Sequence, residues 1–171
     1  MKENDVLSNP DDPRSCVCFL LSRAAQAAQR ELRLLLEPYG LTPAQYLIVE
    51  CLWVVDQLSP TRLGELLRYD SATLTGLIDR LEKSGFVYRK RNPDDRRAIL
   101  ICLTDKGLAM KEELRSLRFQ VNEELMKVFP EDQREVFKQA LVSLILARDP
   151  IASLGGGDMA GQPNKKERGA L

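Results

Sequence analysis

Two kinds of side chain in this 171-residue chain are placed where they can do chemistry, and the first is the cysteine thiol. Cys16 and Cys18 fall in the first turns of a predicted helix, where the helix dipole lowers the pKa of a thiol. Residues two apart on a helix point about 160° away from each other. We therefore expect neither a disulfide nor a shared metal between them, and each is a separate candidate for oxidation sensing.

The second kind is the basic side chain, which is concentrated in one short segment. From Arg80 to Arg97 the segment carries a charge of +4, in a chain whose 25 basic and 25 acidic residues cancel. Arg96 and Arg97 follow strong turn residues, and a hairpin would project them away from the body of the protein. Arginine on a thin projecting loop suits the narrow, negative minor groove of DNA, and a merely solvated charged run is the alternative. The basic residues of the segment are Arg80, Lys83, Arg89, Lys90, Arg91, Arg96 and Arg97.

The helix predicted just before this segment has small and hydroxyl-bearing residues away from its leucines. If Leu74, Ile78 and Leu81 face the core, small residues occupy the middle of the exposed face, where they let the backbone approach another surface. Hydroxyl groups on this helix can bond phosphates or base edges, and an ordinary amphipathic surface helix is the alternative. The outward residues are Ala72, Gly76, Asp79 and Lys83, flanked by Ser71, Thr73, Thr75 and Arg80.

The absence of histidine excludes several classes of function. Ser-His-Asp catalysis, HExxH zinc hydrolysis and a histidine pH switch all need an imidazole. No Cys-x-x-Cys pair indicates a zinc or thioredoxin site, and Cys51 and Cys102 lie in apolar stretches typical of a core. The glycines at Gly155 and Gly157 match a dinucleotide fingerprint, but they follow no strand and open no helix. We therefore expect no cofactor and no metal.

The compartment is predicted from two missing features. The first residues lack the apolar stretch of a signal peptide. The longest apolar stretch, from Tyr46 to Val55, is interrupted by Glu50 and is too short to span a bilayer. We expect a cytoplasmic protein, in which thiols stay reduced.

The elements that position these residues follow from the spacing of apolar residues and from turn signals. Helical spacing predicts four helices, starting near Ser15, Thr42, Pro60 and Ser71, the last ending near Lys83. Alternating residues then predict strands over 86–91 and 98–103. A long helix is expected over 104–129 and a last helix over 131–147. In the last helix we expect the following residues to be buried: Val136, Phe137, Ala140, Leu141, Leu144 and Ile145.

This order predicts a mainly α fold with a small β-hairpin. A lone hairpin is marginal in water and must lean on the helices around it. Three short helices followed at once by a hairpin describe a winged helix-turn-helix, here over about 42–104. We expect one domain, 15–148, between a flexible arm over 1–14 and a tail over 149–171 whose composition favours disorder.

Four stretches of this sequence resemble the MarR family of winged-helix transcriptional regulators, over about residues 15–147. Most specific is the predicted wing, which matches the family pattern almost completely. The matching stretches are Gly40-Leu-Thr-Pro-Ala-Gln-Tyr46, Leu74-Thr-Gly-Leu-Ile-Asp-Arg-Leu81, Lys83-Ser-Gly-Phe-Val87, and Arg91-Asn-Pro-Asp-Asp-Arg-Arg97 running into Leu103-Thr-Asp-Lys-Gly107.

The resemblance implies a homodimer joined through dimerisation helices, namely the first and the last two. Each lobe places the helix over 71–83 in the major groove of a pseudo-palindromic operator and the wing along the minor groove. In the wing, Arg97 reaches the minor groove and Asp95 helps to hold it. The implied function is a DNA-binding transcriptional regulator, a repressor released by a small molecule or an oxidant. The expected DNA contacts are Ser71, Ala72, Thr73, Thr75, Gly76, Arg80, Asp95, Arg96 and Arg97.

The stretch Cys18-Phe-Leu-Leu21 also resembles the peroxide-sensing OhrR branch of this family. In that branch tyrosines activate the sensing cysteine, whereas this chain has Ser22, Leu32 and Pro43 where those tyrosines are expected. The resemblance therefore implies a peroxide effector acting at Cys18, with Cys16 as the alternative thiol.

Two functions from other classes remain open at this point. One is a thiol-dependent redox enzyme that uses Cys16 or Cys18, although no base or resolving thiol is recognisable near them. The other is a helical protein-interaction module without affinity for DNA. Salt-sensitive DNA binding distinguishes a regulator from both.

Overall fold

The structure, a computed structural model, describes residues 9–93, 95 and 97–148. In those ranges the chain is mainly helical with one antiparallel hairpin, which confirms the predicted fold class. None of the described helices is long and apolar enough to cross a membrane. The elements are α1 (Val17–Leu36), α2 (Pro43–Val54), α3 (Pro60–Leu67), α4 (Ser71–Lys83), β1 (Val87–Arg91), β2 (Ile99–Leu103), α5 (Asp105–Ala109), α6 (Lys111–Met126) and α7 (Glu131–Arg148). The predicted tail and most of the predicted arm lie outside the described residues.

The described residues form two compact units. One combines residues 9–43 with 113–127, and the other combines residues 44–112 with 128–148. Within the first unit, the Tyr39 hydroxyl donates a hydrogen bond of 2.8 Å to Glu113 Oε1. The second unit contains α3, α4 and the hairpin, which carry the candidate interface.

The core of the second unit fixes the orientation of α4. Leu74, Ile78 and Leu81 are almost completely buried, as the apolar spacing predicts. Because this face of α4 is buried, the opposite face is turned outward. Other buried side chains of the unit are Tyr46, Ile48, Val49, Leu52, Leu63, Phe86, Val87 and Ile101.

Asp70 begins α4 as its N-cap residue. Asp70 Oδ1 accepts the backbone N–H of Thr73 at 2.8 Å, and Oδ2 accepts the Thr73 hydroxyl at 2.7 Å. The backbone N–H of Thr73 is the main cause that lowers the pKa of Asp70, and the Thr73 hydroxyl lowers it further. The cap is therefore an ionised carboxylate, and the positive end of the helix dipole stabilises its negative charge.

The hairpin is paired from Val87 opposite Leu103 to Arg91 opposite Ile99. On the outer side of β2, the Ile101 N–H donates to the Leu58 carbonyl at 2.8 Å, which adds one β-bridge. The Leu103 N–H donates to Asp56 Oδ1 at 2.9 Å. The sequence gives no signal for these contacts, because three residues over 56–58 are too few to show an alternating pattern.

The base of the hairpin is closed by hydrogen bonds between the residues before β1 and those after β2. The Thr104 N–H donates to the Phe86 carbonyl at 3.1 Å, and the Thr104 hydroxyl donates to the Gly85 carbonyl at 2.6 Å. Gly85 has a φ of +74°, a left-handed conformation that favours glycine. Lys106 Nζ donates to the Ser84 carbonyl at 2.7 Å. Two of the stretches that carry the family resemblance, 83–87 and 103–107, therefore meet here.

The predicted single helix over 104–129 is wrong, because α5 ends at Ala109 and α6 begins at Lys111. Met110 between them has φ −77° and ψ −3°. The Trp53 indole N–H donates to the Gly107 carbonyl at 2.9 Å, and a continuous helix would direct that carbonyl to the N–H of Lys111. This long-range hydrogen bond thus accompanies the break.

The predicted burial of the last helix is also wrong within a single chain. None of the 18 residues of α7 is buried, and Val136 and Ile145 are 64% and 54% exposed. The first half of α1 is likewise uncovered, with Val17 64% exposed. The apolar spacing is present on both helices, but no part of the described chain covers these residues.

A substitution at Gly107 tests the closure of the hairpin base. A Cβ at Gly107 would overlap with the Phe86 carbonyl oxygen and would lie 3.1 Å from the Leu103 side chain. We expect Gly107→Ala to lower the free energy of unfolding by about 1–3 kcal/mol, measured by urea denaturation. Gly76→Ala is the matched control, because the only neighbouring atom of its Cβ would be 3.8 Å away. Equal stabilities of the two variants would contradict this account.

Candidate nucleic-acid interface

The exposed face of α4 presents threonine hydroxyls whose hydrogens are already engaged. Besides the bond from Thr73 to Asp70, the Thr75 hydroxyl donates to the Ser71 carbonyl at 2.7 Å. Both threonines are exposed, and each oxygen keeps lone pairs for a further hydrogen bond. In this conformation the two threonines offer acceptors and methyl groups rather than donors.

Gly76 and Arg80 lie one turn apart on the same exposed side of α4. The nearest atom to a Cβ at Gly76 would be Arg80 Nη2, at 3.8 Å. The Arg80 side chain is exposed, and its guanidinium lies beside Gly76, which is half-buried. Because Gly76 has no side chain, a surface can approach the helix backbone here once the Arg80 guanidinium moves aside. Ser71 and Ala72, at the start of the helix, are also exposed.

The end of the hairpin is organised by an aspartate side chain. Asp95 Oδ1 accepts the backbone N–H of Arg97 at 2.9 Å, and the Asp95 carbonyl accepts the N–H of Ala98 at 2.9 Å. The Asn92 N–H donates to the Ala98 carbonyl at 3.0 Å and closes the loop. Arg97 is exposed at this position. Asp95 therefore holds the backbone of Arg97, and Arg96 lies outside the described residues.

Arg89 does not contribute a free positive charge, although the sequence counts it within the basic segment. Its guanidinium donates to Asp79 Oδ1 through Nη2 at 2.7 Å and to Glu82 Oε2 through Nη1. Partial burial lowers the pKa of Arg89, but the hydrogen bond with Asp79 and the charge of Glu82 outweigh it, so the pKa is raised. The segment charge of +4 already subtracts Glu82, and Asp79, one residue before the segment, reduces it to +3. Sequence reasoning missed these pairs, because Asp79 and Glu82 belong to another element.

The two thiols near the N-terminus differ from the sequence-based expectation. Cys16 is the N-cap residue of α1, with an extended backbone, so the helical angle expected between the two cysteines does not apply. The backbone N–H groups of Phe19 and then of Cys18 lower the pKa of Cys16, and the Cys18 side chain adds to this. Both thiols are exposed. Both are free thiols, and each remains a separate candidate for oxidation.

The other two cysteines have the environment that their apolar neighbours predict. Cys102 is buried in β2, and Cys51 is half-buried in α2. Burial is the main cause that raises the pKa of both thiols. Neither favours the reactive thiolate form.

Comparison with known proteins adds independent evidence on the family. The family described as the MarR family matches residues 41–99, which span α2, α3, α4 and β1. The chain is 38% identical over 149 residues to the HTH-type transcriptional regulator TtmR of Methylorubrum extorquens, covering 85% of this chain and 74% of that protein. It is 37% identical over 97 residues to the organic hydroperoxide resistance transcriptional regulator of Bacillus subtilis, covering 57% and 66%.

Solved structures agree with this relationship. A MarR variant from E. coli, crystallised in complex with operator DNA, matches with a TM-score of 0.70 and 28% identity. The match covers 77% of this chain and 96% of that one. These likenesses favour a regulator over the redox enzyme and the interaction module that the sequence left open. Together with the winged-helix geometry, they show that the chain belongs to the MarR family of transcriptional regulators.

Proposed function

We propose that the protein is a homodimer that reads a pseudo-palindromic operator with α4 in the major groove and the hairpin along the minor groove. The observation that carries this proposal is the exposed face of α4. It combines a backbone without a side chain at Gly76, two exposed threonines and the Arg80 guanidinium. The 13-residue helix is about 20 Å long, and an α-helix fits the width of the major groove.

Within this arrangement the residues of α4 have separate roles. Thr73 and Thr75 face base edges as hydrogen-bond acceptors or through their methyl groups. Gly76 and Ala72 allow the close approach of the helix to the floor of the groove. Ser71, at the start of the helix, and Arg80 contact phosphates.

The hairpin supplies the second contact. Arg97 is exposed at the end of the hairpin, and its backbone is held by Asp95. A guanidinium at such a position suits a narrow minor groove, where the negative potential is strongest. Arg96 is expected to support this contact as the neighbouring basic residue.

A second copy of this chain is the proposed partner of the uncovered helices. Exposed apolar side chains occur on both α1 and α7, which the family resemblance assigns to the dimer interface. Burying them against an identical copy removes apolar surface from water, which is the main favourable term in protein association. Two copies present two α4 helices, so we expect half-sites about one helical turn, or 10 bp, apart.

We propose repression that is relieved by an effector, with an organic hydroperoxide acting at Cys18 as one candidate and a small molecule as the other. In the redox step, the thiolate sulfur attacks one oxygen of the hydroperoxide and the O–O bond breaks. The alkoxide leaves as an alcohol after it takes a proton, and the sulfur becomes a sulfenic acid. Cys18 precedes the exposed Phe19, Leu20 and Leu21, so its oxidation places a polar group beside the proposed dimer contact.

The experiment that tests the core of this proposal selects bound sites from random DNA duplexes. We expect enrichment of an inverted repeat with half-sites one turn apart, and binding that weakens steeply with salt. Sedimentation at micromolar concentration is expected to show a dimer. A monomer with full operator affinity, or no enriched sequence, would overturn the proposal.

Gly76→Ala separates folding from DNA binding. Replacing a helical glycine that has open space around it is expected to raise the free energy of unfolding by about 0.5–1 kcal/mol. The new methyl group blocks the close approach of α4, so operator affinity is expected to fall by about tenfold, which corresponds to about 1.4 kcal/mol. Fluorescence anisotropy and urea denaturation measure the two effects. Unchanged operator affinity would exclude Gly76 from the contact.

Substitutions of Arg97 and Thr75 distinguish contacts that position the protein on the DNA backbone from contacts that read the bases. We expect Arg97→Ala to weaken binding to all duplexes and to reduce the salt dependence by about one phosphate contact. Thr73→Ala or Thr75→Ala is expected to reduce the binding free energy for the operator by about 1–3 kcal/mol, through the loss of discrimination at one base pair. Binding to random DNA is expected to change little. The measurement is anisotropy at several salt concentrations with operator and random duplexes. Normal binding by the Arg97 variant would remove the hairpin from the interface.

The peroxide effector is tested by release of operator DNA in the wild type, Cys16→Ser and Cys18→Ser. We expect an organic hydroperoxide to release the wild type and Cys16→Ser but not Cys18→Ser. Release that is lost only in Cys16→Ser would identify the N-cap thiol, whose pKa is lowered, as the sensor. Release in both variants, or none in the wild type, would leave a reversible small molecule as the effector.

A further inference from the structure

Arg89 of β1 connects the hairpin to two carboxylates of α4. Its Nη2 donates to Asp79 Oδ1 at 2.7 Å, and its Nη1 donates to Glu82 Oε2. Its backbone N–H donates to Glu82 Oε1 at 3.1 Å, so both oxygens of Glu82 are used. The Arg89 side chain is only 29% exposed. Three hydrogen bonds, two of them between charged groups, thus join a strand to the neighbouring helix.

The position of these bonds along the hairpin is informative. Arg89 pairs with Ile101 across the hairpin, and the Ile101 N–H donates to the Leu58 carbonyl on the other side. The Arg89–Ile101 pair, which we call the held rung of the hairpin, is therefore fixed on both edges of the ribbon. The two further pairs, Lys90 with Leu100 and Arg91 with Ile99, and the loop that carries Arg97 lie beyond this rung. A two-stranded ribbon is marginal by itself, so the direction of this outer part depends on how the rung is held.

The charges make the arrangement unusual for a surface that approaches DNA. Two carboxylates on α4 repel phosphates, and one guanidinium between them leaves a local charge of −1. Electrostatic attraction to DNA alone would favour their removal. The presence of Asp79 and Glu82 is explained if these carboxylates serve to hold Arg89.

We propose that Arg89, Asp79 and Glu82, which we call the helix–hairpin clamp, set the direction of the hairpin relative to α4, so that Thr75 and Arg97 reach their two grooves at the same time. Arg89 is a positioning residue that does not contact DNA itself. This inference rests on the proposed DNA-binding function and adds to it the element that aligns the two contacts.

A direct phosphate contact by Arg89 is the competing role, and it predicts effects of opposite sign. If Arg89 binds phosphate, removing Asp79 or Glu82 frees its charge and strengthens binding to every duplex. If the clamp positions the hairpin, removing either carboxylate weakens binding to the operator although a negative charge is lost. Lysine in place of Arg89 keeps the charge but presents a single ammonium group, which cannot reproduce the planar fork between two carboxylates.

The test measures binding of Asp79→Asn, Glu82→Gln, Arg89→Lys and Arg89→Gln to the selected operator and to a random duplex at several salt concentrations. Urea denaturation defines conditions under which each variant is fully folded, and binding is measured there. Glu65→Gln is the matched control for loss of an acidic charge, because Glu65 pairs with Arg62 within α3 and not with the hairpin.

For the clamp we expect each of the four variants to lose operator affinity by roughly tenfold, and to bind random DNA more weakly as well, because Arg97 contributes to both complexes. The salt dependence is expected to fall by at most about one phosphate contact, which is the contact of the misdirected Arg97. The double variant Arg89→Gln with Glu82→Gln is expected to bind no worse than either single variant. Each single substitution already breaks the clamp, so the second one has no further contact to remove. Glu65→Gln is expected to bind both duplexes as well as or better than the wild type.

Three results would overturn the clamp. They are stronger binding by Asp79→Asn or Glu82→Gln, full operator affinity in Arg89→Lys, and a further loss of operator affinity when Glu82→Gln is added to Arg89→Gln. The wild type is measured first. If it binds neither duplex, the proposed function fails and the clamp fails with it; if it binds the operator and the four variants do so equally well, only the clamp fails.

Discussion

The winged-helix part of this protein depends on the Phe86 carbonyl group at the base of the hairpin. A two-stranded ribbon buries too little apolar surface to be stable alone, so it must be fixed where the chain enters and leaves it. The Phe86 carbonyl accepts the N–H of Thr104, and the backbone of Gly107 packs against it without a side chain. The buried Phe86 ring joins the same core as Leu81 of α4. The Phe86 N–H donates to the Leu81 carbonyl of α4 at 3.0 Å, so the backbone of this one residue links the hairpin, α4 and α5.

The elements around this point are predictable from the sequence because their signals are local. Gly85 ends α4 in a left-handed conformation, Asp70 caps its start, and the leucine spacing defines its buried face. The exposed positions of Thr73 and Thr75 follow from the same local pattern, and the exposure of Arg97 follows from the turn residues that precede it. The outward residues of α4 can be identified from the sequence alone, because a helix that buries one face must turn the opposite face to solvent.

The features that the sequence did not reveal all arise from contacts between distant residues. The break at Met110 accompanies a hydrogen bond from Trp53, and the bridge to β2 comes from Leu58. Counting charges along the chain made Arg89 part of a basic surface, whereas its partners lie seven and ten residues away on another element. Periodicity shows that a residue is apolar on one face, but it does not show whether the same chain or another one covers that face.

The lack of any buried residue in α7 has a consequence for the amount of protein a cell needs. An isolated helix of about 18 residues is only marginally stable in water, so α7 gains its stability from whatever covers it. If that cover is a second chain, folding of this helix and association are one equilibrium that depends on concentration. Occupancy of an operator then rises more steeply than in proportion to the amount of chain. A modest change in the synthesis or degradation of the chain would then change operator occupancy sharply, without any effector being bound.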